Sequence, residues 1–318
     1  MHRQLGRVWA ELPPAAGSAV MATGIISVDL EQTGRHGLSL AALAVAALLW
    51  LVLAADFGWR LLRDRARFRA DADTPPALTA VAATAVLGTR LSLFGWQTVA
   101  AALLALAAVV WPALLVHVVR RWKRRMPGGV FLVCVAAEGL AVLAAVLSTA
   151  DGQRWLAWAA LVCFLLGLVL YPYALARFDF AQIMDGAGDH WISAGALAIC
   201  ALAGSKLTAS PVWTGAAHTT LRTTTLVLLG LALAGYVLLA AAEVRRPRPH
   251  YDMRRWATVF PLGMTSAAAL STSAAAHIHW LHTLGEVLLW IAAIAWTLAV
   301  VGAATATAAE TAAERSSS

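Results

Sequence analysis

Apolar stretches long enough to cross a lipid bilayer recur along the whole chain. A membrane-spanning helix needs ~20 mostly apolar residues. Ten windows near that length occur, at residues 14–30, 38–56, 77–93, 97–119, 130–148, 155–176, 191–207, 218–243, 256–275 and 283–306. The gaps between them are short and polar, so no soluble domain fits there. The pattern predicts an all-α integral membrane protein with ten transmembrane helices.

The composition supports a membrane setting. Hydrophobic residues make up 60% of the chain, charged residues only 13%, and the mean hydropathy is +0.72, whereas soluble domains carry about 25% charged residues. We expect a cytoplasmic segment at residues 1–12, one transmembrane domain at 13–306 and a flexible cytoplasmic tail at 307–318. The first window is not interpreted as a signal peptide, because many further spans follow it and Pro13 and Pro14 interrupt its charged flank.

The distribution of basic residues predicts the orientation. If the amino terminus is cytoplasmic, 19 of the 24 Lys and Arg residues fall on the cytoplasmic side, as the positive-inside rule requires. The remaining five are Arg35, Arg90, Arg154, Lys206 and Arg222. We therefore predict a multi-pass inner-membrane protein with both termini in the cytoplasm. The sequence pI of about 10.0 is then a topology signal rather than a sign of a nucleic-acid partner. Basic loops that concentrate anions near a pore mouth stay as an alternative.

Odd- and even-numbered windows differ in composition. The even windows are rich in Leu, Val and Ala, which suits contact with lipid. Each odd window is shorter or more polar and has a glycine near its middle: Gly24, Gly88, Gly139, Gly195 and Gly263. A single glycine in a membrane helix usually indicates close helix packing. Five glycines in phase favour five hairpins, with an inner ring of odd helices and an outer ring of even helices. The inner ring is predicted to surround a central pore that these glycines line.

The ninth window contains a proline and a bulky ring. In RRWATVFPLGMTSAAALSTS (Arg254–Ser273), Pro261 removes one backbone hydrogen bond and kinks the helix. Phe260 stands directly before it. The pair is interpreted either as a proline kink with a core phenylalanine or as the constriction of a gated path.

Three motifs carry a resemblance to a known family. They are LPPAAGSAVMATGIISV (Leu12–Val28), DHWISAGALAICALAG (Asp189–Gly204) and RWATVFPLGM (Arg255–Met264). The chain resembles the tellurite-resistance and dicarboxylate transporter family, which includes the plant slow anion channels. The resemblance implies a five-hairpin transport domain and a homotrimer with a separate pore in each subunit. It also implies that Phe260 occludes the pore.

Helical periodicity alone leaves two candidate pore faces on the ninth helix. One face carries Thr258, Thr265 and Thr272, with Ser266 and Ser273 beside them; the nearly opposite face carries Phe260, Gly263, Ala267 and Ser271. The family resemblance favours the second face, so Ala267 and Ser271 join the predicted pore lining. The hydroxyls of the first face can bond to carbonyls one turn back, which suits a packing surface.

Glu138 lies in the middle of the fifth window. A charged carboxylate at bilayer depth costs roughly 2.5–3.5 kcal/mol on insertion scales. One interpretation is an interhelical hydrogen bond or ion pair, with Arg90 as a partner. The other is a protonatable site that couples proton movement to anion movement, because a permanently charged Glu138 in an anion pore would repel the substrate.

Other clusters give weaker signals. His277, His279 and His282 fall in a predicted external turn without an acidic or cysteine ligand. The three cysteines occupy separate windows without a CxxC pair and are interpreted as small buried residues: Cys134, Cys163 and Cys200. We therefore predict no metal, no cofactor and no catalytic site.

The sequence thus favours passage of a small anion through a central pore gated by Phe260, by a channel-like or carrier-like route. One alternative is a proton-coupled transporter of a C4-dicarboxylate such as malate. Another is an exporter of an oxyanion such as tellurite or sulfite. An alternative of a different class is a membrane-embedded enzyme or sensor that uses the histidine cluster.

Overall fold

The computed structural model describes residues 16–248 and 251–317, and these ranges contain ten helices of 15 or more residues and no β-strand. The ten are α1 (Gly17–Gln32), α2 (His36–Arg63), α3 (Thr79–Leu93), α4 (Gln97–Arg120), α5 (Leu132–Asp151), α6 (Arg154–Leu175), α7 (Ile192–Thr208), α8 (Gly215–Arg245), α9 (Trp256–Ala276) and α10 (His279–Ser317). The all-α prediction is confirmed. The predicted segment 1–12 lies outside the described residues, and residues 307–317 of the predicted tail continue α10.

Eight helices of the described ranges are long and apolar enough to cross a membrane. They are α2 to α8 and α10, counted with the short turns that lead into them. The other two are α1, which has 16 residues, and α9, whose 21 residues include a proline and six hydroxyl side chains that lower its hydropathy. The chain is therefore a membrane protein, and the count of ten spans stays a prediction that depends on α1 and α9.

Burial alternates along the chain. In the apolar windows of α3, α5 and α7, 83–94% of residues are buried, whereas the windows of α2, α4, α6, α8 and α10 are only 17–33% buried. Nearly every described residue of α1 and α9 is buried as well. The even helices present large aliphatic side chains on their outer surfaces, for example Leu48, Val109, Val169 and Val237. Lipid is the solvent that such surfaces match.

The buried helices pack in a closed circuit. Helix α1 packs against α3, α3 against α5, α5 against α7, α7 against α9, and α9 against α1. Each even helix packs against the odd helix before it and also touches the next odd helix around the circuit. The even helices therefore shield the five odd helices from the outside.

Short-range sequence signals set the helix ends. Gly152 ends α5 in the left-handed region at φ 67°, a conformation that glycine adopts without steric cost. Pro75 opens the 3-10 turn Pro75–Leu78 that leads into α3, where the missing amide hydrogen costs nothing. A side chain at Gly128 would collide with the Asp189 carbonyl, so glycine there lets the turns that lead into α5 and α7 touch.

Candidate functional site

A small cavity lies where the five odd helices meet. Its volume is about 20 Å³, enough for about one water molecule. All five odd helices contribute to its wall: Ile25 and Val28 of α1, Ala85, Val86, Thr89 and Leu93 of α3, Gly139 and Val142 of α5, Ile199, Leu202 and Lys206 of α7, and Met264 of α9. We refer to it as the axial cavity. Its small volume marks a constriction on the axis of the bundle.

The wall of the axial cavity is almost entirely aliphatic. Thr89 turns its hydroxyl to the Ala85 carbonyl of its own helix at 2.9 Å. Among the lining residues, Lys206 carries the one charged side chain. A single cation in an aliphatic wall attracts an anion and leaves it few fixed hydrogen-bond donors.

Asp29 is a buried carboxylate beside this cavity that the sequence reasoning missed. It follows the lining residue Val28, it is 0% exposed, and neither carboxylate oxygen has a hydrogen-bond partner in the described part of the chain. The positive charge of Lys206 acts on it. An acidic residue inside the first apolar window was the signal available in the sequence.

Phe260 lies on the α9 face that meets the axial cavity. Met264, one helical turn later, lines the cavity, and residues four apart share a helix face. The Phe260 ring is 1% exposed. Phe260 itself does not line the axial cavity; it is a fully buried ring one helical turn before the lining residue Met264.

Pro261 packs against α7. A Cβ added at Gly195 would lie 2.8 Å from the Pro261 ring and 3.1 Å from its Cα. Glycine at position 195 therefore allows α7 and α9 to approach at the level of Phe260.

The hydroxyl face of α9 is used for packing and helix contacts. Thr258 donates to the Gly188 carbonyl, Thr265 to Pro261, Ser266 to Gly285 of α10 and Ser273 to Ile278. Thr272 is buried and its hydroxyl has no partner among the described residues. On the other face, Ala267 and Ser271 are also buried and do not line the axial cavity.

Four of the five predicted glycines sit against neighbouring side chains rather than on the cavity wall. A Cβ at Gly24 would meet Val86, one at Gly88 would meet Leu143, one at Gly195 would meet Pro261 and one at Gly263 would meet Ile25, each at 2.7–2.8 Å. Gly139 lines the axial cavity, and its nearest neighbour is Ala85 at 3.2 Å. The glycines thus bring the odd helices close together, and pore lining by all five stays a prediction.

Arg90 and Glu138 do not form the predicted pair. The Arg90 guanidinium donates to the Glu31 carboxylate at 2.7 Å and to the hydroxyls of Ser27 and Ser39 at 3.2 and 3.0 Å. Arg90 reaches from α3 towards α1 and α2, whereas Glu138 on α5 faces α6 and α7. Neither side chain lines the axial cavity.

Comparison with known proteins identifies the family. The family model described as voltage-dependent anion channel matches residues 11–304. The chain belongs to the voltage-dependent anion channel family. The resemblance that three motifs carried is thereby confirmed, and membership in this family implies anion transport across a membrane.

Two curated relatives are also similar to this channel-family protein. An alignment 145 residues long, which covers 42% of the chain, is 30% identical to an uncharacterized membrane protein of Mycobacterium tuberculosis strain CDC 1551 / Oshkosh. The same holds for an uncharacterized membrane protein of strain ATCC 25618 / H37Rv. The match covers 68% of each relative.

In this family member a charged network joins the end of α8 to the turn before α9. Glu243 pairs with Arg248 and, at 3.0 Å, with Arg255. Burial and the nearby Arg255 charge lower the pKa of Arg248 to about 10. Asp252 caps the turn before α9 by accepting from the Arg254 amide at 2.8 Å, and hydrogen bonds from the Arg254 guanidinium hold the pKa of Asp252 below its usual value. The network fixes the start of the helix that carries Phe260.

Proposed function

We propose that this protein passes a small anion along the axis enclosed by α1, α3, α5, α7 and α9, and that Phe260 gates the passage. The axial cavity carries the proposal, because all five odd helices line it and Lys206 is its one charged lining residue. A constriction that holds about one water molecule must widen before a hydrated anion passes. Rotation of the Phe260 ring, one turn from Met264, is the simplest way to widen it.

The proposal places all ten long helices across the membrane as five hairpins, with the odd helices inside and the even helices outside. Helices α1 and α9 fall short of the hydropathy and length of an isolated span because neighbouring helices, rather than lipid, surround them. A helix screened from lipid tolerates hydroxyls and a proline. Both termini then lie in the cytoplasm of a cell with this chain in its inner membrane.

The family resemblance extends the proposal to a homotrimer in which each subunit has its own pore. The axial cavity supports a separate pore, since it lies within one chain. We expect the exposed aliphatic surfaces of some even helices to meet neighbouring subunits and the others to meet lipid.

The character of the cavity wall bears on the substrate. An aliphatic wall with one cation selects by charge and size, which suits a small inorganic anion. A C4-dicarboxylate carries two charges and is larger, so it would need wider opening and a second cation. Proton-coupled dicarboxylate transport and oxyanion export stay as alternatives, and the described residues that line the axial cavity include no cluster that supports an enzyme or sensor role.

Electrical recording of purified protein in planar bilayers tests the gate. We expect Phe260→Ala to raise anion conductance at least severalfold over wild type, because removing the ring opens the constriction. The current should reverse at the anion equilibrium potential in a salt gradient.

Phe164→Ala is the matched control. Phe164 is a buried ring, 2% exposed, on the outer helix α6, so its loss creates a cavity of similar size away from the axis. Equal conductance in wild type and Phe260→Ala, with both proteins monodisperse in detergent, would remove Phe260 as the gate.

A further inference from the structure

Three potential metal ligands converge inside the helix bundle. Cys134 and Glu138 stand one turn apart on the same face of α5, and Cys200 approaches them from α7. Their ligand atoms all lie within 4.8 Å of one another, the two sulfur atoms are 3.6 Å apart, and all three residues are 0% exposed. Among the described residues this is the one group of three such side chains.

Glu138 enters this cluster without another partner. Outside the cluster neither carboxylate oxygen has a hydrogen-bond partner in the described ranges, and inside it the Cys200 thiol is the group that bonds to them. The carboxylate fills the space that the missing side chain of Gly167 on α6 leaves, because a Cβ there would collide with it. A buried carboxylate with so few partners is costly, and a cation between these side chains would satisfy it.

We propose that Cys134, Cys200 and Glu138 bind one Zn²⁺ ion between α5 and α7. With Zn–S bonds of about 2.3 Å, sulfur atoms 3.6 Å apart subtend an angle of roughly 100° at the metal, close to tetrahedral. A linear two-thiolate site, as for a monovalent soft ion, would need the sulfurs about 4.6 Å apart at that bond length. The spacing fits a tetrahedral thiophilic cation and does not fit a linear two-thiolate site.

The ion would offset most of the ligand charge. Thiols and carboxylates that bind zinc are deprotonated, so the two thiolates neutralise the dication and the Glu138 carboxylate leaves one net negative charge. The Glu138 oxygen gains a partner in the ion. From the sequence we predict no metal site, and this proposal departs from that prediction.

The site would tie together two helices that border the axial cavity. Gly139 follows Glu138 and Ile199 precedes Cys200, and both residues line that cavity. A bound ion would fix the separation of α5 and α7 at the constriction. Metal binding itself does not depend on anion passage, so a failure of one leaves the other standing.

Cobalt titration of the full-length protein tests the site. Protein reduced and purified in detergent is titrated with Co²⁺ and followed by absorption. We expect thiolate-to-cobalt bands in the near ultraviolet and tetrahedral bands in the visible range, saturating at about one ion per chain. Added Zn²⁺ should abolish both.

The variants Cys134→Ser and Cys200→Ser should each lose the bands, and Glu138→Gln should weaken Co²⁺ binding at least tenfold. Cys163→Ser is the matched control, because Cys163 lies outside the cluster and its loss should leave the titration unchanged. Gly167→Ala keeps all three ligands but crowds Glu138, so it should weaken binding while the thiolate bands persist.

Because the cluster is buried, zinc content is also measured by atomic emission after growth in zinc-supplemented medium. Monodisperse wild-type protein that contains no zinc and shows no cobalt bands would overturn the proposal. Bands of equal strength in Cys134→Ser and Cys163→Ser would overturn it too, since they would place the metal elsewhere.

Discussion

At the scale of single residues, few charged side chains lie near the axis of the bundle. Lys206 is the one charged residue in the wall of the axial cavity, and Asp29 beside it is a carboxylate with no hydrogen bond in the described residues. Lys206 lines the cavity and Asp29 does not. An anion in the cavity therefore meets the lysine side chain first.

Replacing Lys206 by Gln should lower anion conductance severalfold and reduce the preference for anions over cations, because it removes the one positive charge in the cavity wall. Reversal potentials in salt gradients measure the preference. Lys206→Arg keeps the positive charge, so this variant should retain most of the preference for anions.

Lys123 is the other lysine of the chain and provides the control. It lies in the loop after α4, away from the axial cavity, so Lys123→Gln should leave selectivity unchanged. If the two Gln variants behave alike, Lys206 has no special role.

At the scale of helices, glycine sets how closely neighbours approach. The five glycines in phase predict a common role, and the structure places four of them against side chains of adjacent helices. Small residues are needed for that contact because lipid-embedded helices associate through close packing. Helix periodicity identifies the glycines, but it does not determine which of them faces a neighbour and which faces the axis.

Gly195→Ala should separate α7 and α9 beside Phe260. The new Cβ would lie 3.1 Å from the Pro261 Cα and nearer still to its ring, and neither can move far. Overpacking of this kind costs about 1–3 kcal/mol. We expect a lower thermal stability in detergent and an altered anion conductance.

Gly230→Ala is the comparison for that experiment. A Cβ at Gly230 on α8 meets nothing within 4 Å, and alanine favours a helix over glycine by up to about 1 kcal/mol. This variant should be neutral or slightly stabilised. If Gly195→Ala and Gly230→Ala lose thermal stability equally, contact with Pro261 is not the cause of the loss.

At the scale of the whole molecule, the pattern of burial and the pattern of charge agree with one orientation. If all ten helices cross the membrane as proposed, the odd helices, buried in a closed circuit, all begin on the side where most Lys and Arg residues lie. The chain then returns to that side after every even helix. An arrangement of this kind predicts both termini in the cytoplasm.

Reporter fusions check that orientation. Alkaline phosphatase fused after residue 317 should be inactive in cells, and a fluorescent protein fused at the same place should be bright. Phosphatase fused at Gly152, between α5 and α6, should be active. The reverse result at either position would show that the positive-inside count assigns the wrong side.

Much of this architecture could be predicted from local patterns. Apolar windows and their flanking charges identified the helices, because hydrophobic length and the cost of moving charge through lipid act on each segment by itself. Arg90 shows where such reasoning ends. Its burial made an acidic partner necessary, but the choice of Glu31 over Glu138 depended on the directions in which α3 and α5 face.

The sequence alone determined that the chain is helical, that it belongs in a membrane, and that a proline and a phenylalanine interrupt the ninth window. Only the tertiary structure decided that Lys206 and Met264 share a cavity wall, that Asp29 lies beside it, and that Cys134 and Cys200 meet across two helices. The reason is that the length of an apolar stretch and the charges beside it can be read from one segment at a time. The neighbours of a side chain are set instead by the rotation of each helix about its own axis, which close packing of all five inner helices fixes together.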